Sequence, residues 1–159
     1  MAAESRADDA HEGDWFYVSA ATESSDDAVG LVTGIARVVQ ASGRIPLSAD
    51  GISSATRASR GESEEAVRFA QALIVDVTAT SDSVETIVRC ALAHDRPIIA
   101  LRRDGASAGD AVLAELETRD RARVIRYRGT EDCLEQLERT LADHRFWRLV
   151  ADAAPHDVV

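Results

Sequence analysis

The residues best placed to do chemistry lie between Ala72 and Leu101, in the run ALIVDVTATSDSVETIVRCALAHDRPIIAL. Asp76 follows Leu73-Ile-Val and sets a carboxylate near the end of an apolar strand. Ser81 and Ser83 stand where the next helix should begin, and free N–H groups and the helix dipole there favour a phosphate or carboxylate. Each feature also has a plain structural use: Asp76 can satisfy a turn, and either serine can cap the helix. Asp82-Ser-Val-Glu85 reads as a capping box, with Asp82 at the N-cap and Glu85 three residues on.

These residues need a scaffold, and the apolar periodicity supplies one. Short apolar runs at Trp15–Ala20, Arg44–Leu47, Leu73–Val77, Pro97–Leu101 and Val124–Tyr127 read as strands. Helical spacing separates them: Val29, Val32, Ile35, Ala36 and Val39 in one helix, and Cys133, Leu134, Leu137 and Leu141 on one face of the last. A short helix is expected from about Glu62 to Ala70, another after Ser81, and another from about Ser107–Asp110 through Leu116. Alternating strands and helices imply parallel βαβ units. The sequence therefore predicts an α/β protein: a three-layer α/β/α sandwich with a five-stranded parallel sheet, flavodoxin- or Rossmann-like. Such sheets bind ligands at the carboxyl ends of their strands, which places the site at the Asp76 corner.

One domain over residues 14–150 is expected, with an acidic tail over 1–13 and a flexible tail over 151–159. The 159 residues suffice for one ordinary core. A net charge of −10 argues against nucleic acid and against an anionic membrane surface as partners. All 18 basic residues are Arg, with neither Lys nor Asn in the chain, a coding bias of the kind a GC-rich bacterium shows. Cys90 and Cys133 fall on apolar helix faces and read as reduced thiols. The four histidines lack ligand spacing, so neither a metal nor another cofactor is expected. No apolar run reaches membrane-spanning length, and the first residues lack the pattern of a signal peptide, so a cytoplasmic protein is expected.

Over about residues 14–145 the order of elements resembles the nucleoside 2-deoxyribosyltransferase family, which includes 2-deoxynucleoside 5-phosphate N-hydrolases and cytidylate hydrolases. The family motif E-x-G-x-A-x-x-x-G-K-P is similar to Ile87-Val-Arg89-Cys-Ala91-Leu-Ala-His-Asp95-Arg96-Pro97, with Ala91 and Pro97 matching and Arg96 in place of Lys. Val124-Ile-Arg-Tyr-Arg-Gly-Thr-Glu-Asp resembles the family's last strand and helix. The resemblance implies a nucleoside or nucleotide ligand and a homodimer. It also implies a carboxylate nucleophile at the motif Glu, forming a glycosyl-enzyme intermediate much as retaining glycosidases do.

Ile87 occupies that position here, and isoleucine has no carboxylate. Glu85 is two residues earlier, about 200° around the helix; it serves either as the cap described above or as a relocated nucleophile. The resemblance further brings in the first strand, with Tyr17 either in the core or near the ligand and Ser19 closing a phosphate or ribose pocket. Arg57 and Arg60 either reach a phosphate or stand in solvent. The primary expectation is a nucleoside- or nucleotide-binding protein of this kind, a pseudoenzyme with N-glycosidic cleavage lost or altered. The alternatives are an active N-glycosidase or deoxyribosyltransferase using Glu85 or Asp76, and an interaction or NAD-cleaving module akin to the toll/interleukin-1 receptor domain.

Overall fold

The computed structural model describes residues 15–19, 26–48, 66–78, 82–105 and 110–153. In chain order these form β1 (Trp15–Ser19), α1 (Asp26–Ala41), β2 (Ile45–Ser48), β3 (Ala72–Asp76), α2 (Asp82–Ala93), β4 (Ile98–Arg103), α3 (Asp110–Glu117), β5 (Ala122–Tyr127), α4 (Thr130–Ala142) and α5 (His144–Ala153). The five strands build one sheet in the order β2-β1-β3-β4-β5, and every pairing is parallel. The flavodoxin-like three-layer architecture expected from the sequence is the one observed. From β1 the chain moves outward to β2, then returns to β3 on the other side. Strand order therefore reverses between β1 and β3, and the crevice outside their carboxyl ends is where such sheets take ligands.

Burial explains the strand sequences. All five residues of β3 and the first five of β4 are buried, as strands covered on both faces must be. On one face Phe16, Val18, Ile74, Leu101 and Ile125 pack under Leu31, Ile35 and Val39 of α1 and Leu137 and Leu141 of α4. On the other, Leu73, Val75, Ile98 and Ala100 pack under Val84, Ile87, Val88 and Ala91 of α2 and Leu113 and Leu116 of α3. The α2 positions follow the i, i+3, i+4, i+7 spacing of a single apolar stripe. Cys133 belongs to the first layer and Cys90 packs against the second, so the sheet separates the two free thiols.

Local signals end the helices. Gly43, at φ +90°, lets α1 turn into β2, with its N–H on the Gln40 carbonyl and that of Arg44 on Val39. Asp95 takes the same left-handed conformation at φ 60° after α2. Arg96 then donates its backbone N–H to the Ala91 carbonyl and its Nε to the Arg68 carbonyl at 2.8 Å. Ala91 is fully buried, and the Pro97 carbonyl accepts the N–H of Leu73. The motif residues Ala91, Arg96 and Pro97 thus fasten α2 and β4 at the amino end of the sheet, opposite the Asp76 corner.

The carboxyl-terminal region differs from expectation. The last helical pattern breaks at Asp143, whose backbone is extended and whose Oδ1 accepts the N–H of Arg145 at 2.9 Å. That bond holds the Asp143 carboxyl below its usual range. A separate helix follows and continues to Ala153, past the domain end placed at residue 150. It brings Phe146 and Trp147 to Phe16 with ring centroids 6.2 and 5.6 Å away, and Trp147 Nε1 donates to the Leu141 carbonyl. The first tail and residues 62–65 of the expected Glu62–Ala70 helix lie outside the described residues; of the described remainder, 66–68 are helical. No described helix is long and apolar enough to cross a membrane.

Two glycines of α1 test the packing against α4. A Cβ at Gly34 would run into the Leu134 side chain, whereas at Gly30 it would meet open space. Gly30→Ala is expected to stabilise by about 0.5–1 kcal/mol through helix propensity. Gly34→Ala should destabilise by about 1 kcal/mol as overpacking outweighs that gain. Urea denaturation of the two variants checks the opposite signs, and adding Leu134→Ala should reduce the Gly34→Ala penalty.

Candidate functional site at the carboxyl edge of the sheet

Asp76 is the last residue of β3 and is only 6% exposed. A buried carboxylate is costly unless hydrogen bonds replace its water. Its Oδ1 accepts the N–H of Thr78 at 2.8 Å, the turn that an Asp two residues ahead of an N–H commonly makes. Its Oδ2 accepts the hydroxyl of Tyr127 at 3.0 Å, across β4 from the end of β5. Thr78 Oγ1 accepts the N–H of Arg103 at 2.9 Å and lies 3.4 Å from the Tyr127 hydroxyl. Backbone bonds from Val77 to Leu101 and from Asp104 to Tyr127 close the same corner. The Asp76 carboxylate thus joins the ends of β3 and β5, and the Thr78 hydroxyl with the backbone bonds brings in β4.

The electrostatics follow from this burial. Tyr127 is pushed up to about 12, chiefly by desolvation, with the adjoining Asp76 charge adding to it against the Thr78 hydrogen bond. Burial likewise pushes the Cys133 thiol in α4 up to about 12, assisted by the carboxylates of Asp76 and Asp132. Cys133 is consequently a neutral packing group at physiological pH and a poor nucleophile. Asp76 is the group with chemistry to offer. Both oxygens are held in place, and a carboxylate retains acceptor capacity beyond one bond per oxygen.

The structure separates the residues singled out in the sequence. Ser19 ends β1, partly exposed, and pairs in register with Val75. It and Asp76 therefore flank the crevice where strand order reverses. Tyr17 is fully buried in the α2-side core, and Ile87, 8% exposed, lies in the same cluster. Glu85 is on the flank of α2, its side chain 37% exposed and 3.8 Å from Arg89. Ser81, Arg57 and Arg60 lie outside the described residues, as does the side chain of Ser83. Among the described residues no three His, Cys, Asp or Glu side chains gather as a metal cage.

Sequence reasoning missed Thr78 and Tyr127. A signal for Thr78 was present in the Asp76-Val-Thr78 spacing of a side-chain turn. Tyr127 offered only its place at a strand end, and nothing local pointed it at a carboxylate 51 residues away.

Solved structures similar to this chain share its architecture. A CMP N-glycosidase, BcmB, of Clostridium botulinum is similar with a TM-score of 0.57 at 14% identity, over 77% of this chain and 98% of its own. A flavodoxin-like domain from a Synechococcus protein has a TM-score of 0.59 at 18% identity, over 84% and 97%. A diflavin flavoprotein A3 from Nostoc gives 0.59 at 14%, over 89% and 96%. Identities this low establish a common fold. No family model matches the chain, and no curated protein does.

A phenol whose folded pKa is raised contributes stability that is fully present below its unfolded value of 10.0 and is lost as pH rises through about 12. Alkaline denaturation between pH 10 and 12 should therefore be shallower in Tyr127→Phe than in the native chain. At neutral pH the same variant is expected to lose about 1–3 kcal/mol, because Asp76 Oδ2 is left without its donor. Urea denaturation at the two pH values measures both effects.

Proposed function

We propose that this chain is a nucleoside- or nucleotide-binding protein of the nucleoside deoxyribosyltransferase-like group, with N-glycosidic cleavage lost or altered. The observation that carries the reading is the pairing of a kept corner with a changed helix. Asp76 is fixed by Thr78 and Tyr127 beside the β1/β3 crevice, while the motif position of the nucleophile holds a core isoleucine, Ile87. The fold shared with a CMP N-glycosidase supports the ligand class. In this reading Ser19 and Asp76 contact the ligand, with Ser81 and Ser83 at the start of α2 meeting a phosphate. Glu85 keeps the helix start and its pair with Arg89. The protein works as a homodimer, as the family resemblance implies.

One observation favours active chemistry as the second reading: Asp76 is a positioned carboxylate at the carboxyl edge, where a nucleophile or an oxocarbenium stabiliser would stand. Cleavage would then depend on Asp76, or on Glu85, and a single experiment separates the readings. Nucleosides, 5′-monophosphates, FMN and NAD are screened by thermal shift on the full chain, and the same mixtures are analysed by chromatography for released base or nicotinamide. A ligand at a hundredfold excess over Kd adds about 2.7 kcal/mol, enough for a clear rise in Tm. Stabilisation by a nucleoside or nucleotide without base release is expected. Base release abolished by Asp76→Asn or Glu85→Gln would establish the enzyme instead, and stabilisation by FMN alone would point to a flavin protein. Light scattering coupled to gel filtration is expected to give the mass of a dimer.

A further inference from the structure

The donors around Asp76 are complete without filling it. The Thr78 N–H donates to Oδ1 and the Tyr127 hydroxyl to Oδ2. Among the described residues these two groups are the carboxylate's hydrogen-bond partners, and both are neutral. Each carboxylate oxygen offers two acceptor positions, so one remains open on each. Asp76 is only 6% exposed, and a further donor is worth more there than on the surface, where water would already fill the position. The two bonds also hold the carboxylate plane, so a ligand does not have to order it on binding.

Charge decides which part of a nucleoside or nucleotide can stand at this carboxylate. With neutral donors alone around it, it repels a phosphate, whereas sugar hydroxyls bring donors without charge. The two oxygens of one carboxylate sit side by side, as do the 2′- and 3′-hydroxyls of ribose. Resting on the nucleoside- or nucleotide-binding role above, we propose that Asp76 accepts both hydroxyls of the ribose cis-diol, so that the site takes ribonucleosides or ribonucleotides in preference to their 2′-deoxy forms. Tyr127 is then a positioning residue, acting on the sugar through Asp76. A 2′-deoxy ligand leaves one desolvated acceptor unfilled, and sites built to bond a hydroxyl discriminate strongly against the analogue that lacks it. The name of the resembled family points to 2-deoxyribose; the open acceptor pair on Asp76 points to the other sugar.

Calorimetric titration of the full chain with the common ribonucleosides and their 5′-monophosphates, each beside its 2′-deoxy form, tests the proposal. For whichever base binds, the ribo form is expected to bind at least about tenfold more tightly, which is ~1.4 kcal/mol. Asp76→Asn should bring the two forms together by weakening the ribo form, since an amide keeps one acceptor oxygen where the carboxylate has two. Tyr127→Phe should narrow the gap in the same direction while leaving the affinity for the deoxy form unchanged. A merely structural role would instead weaken both forms alike. If either variant fails to fold, the ratio of ribo to deoxy affinity in the native chain still decides. Equal affinity for the two sugars overturns this proposal and leaves the binding role standing, and binding confined to guanine with either sugar would put a base edge on Asp76 and overturn it as well. Failure of every one of these ligands to bind sinks the sugar preference and the binding role together.

Discussion

A parallel sheet covered by helices on both faces has no room for polar side chains along most of its length, and polar chemistry is pushed to the strand ends. In this chain the constraint is nearly complete: β3 and the body of β4 are buried throughout. Arg102 toward the end of β4 is one exception, and Asp76 is the other, a carboxylate at the last position of the most central strand. It is retained there because Thr78 and Tyr127 supply what water would otherwise supply. The bonds around it fasten the ends of β3, β4 and β5, so the corner that offers a reactive group also fixes its own geometry.

The amino end of the sheet is organised for a different purpose. Ala91 lets α2 approach closely, Asp95 turns the chain, and Arg96 and Pro97 close the junction to β4 and the Arg68 turn. These residues carry most of the resemblance to the nucleoside deoxyribosyltransferase family, and in this chain their work is architectural. That explains how a fold can be shared with an N-glycosidase and with flavodoxin-like domains at 14–18% identity. A shared fold does not carry a shared chemistry with it.

Helix α2 shows how strongly packing limits the site. Its buried stripe of Val84, Ile87, Val88 and Ala91 faces the sheet, so Ile87 is a core residue. Glu85 falls on the flank, where an exposed ion pair with Arg89 contributes little.

Strand and helix alternation, the buried central strands and the position of Asp76 were all legible in the residue order, since each depends on short-range periodicity, whereas Ile87, expected at the site through the family motif, lies in the core. The end of α1 at Gly43 was legible too. The separate helix α5 was not, because its helical pattern nearly continues that of α4 and only the contact of Phe146 and Trp147 with Phe16, about 130 residues earlier in the chain, fixes where it turns. Tertiary structure also decided that Tyr127 donates to Asp76. That bond depends on which strands become neighbours and in what register, and no local pattern in the sequence encodes that.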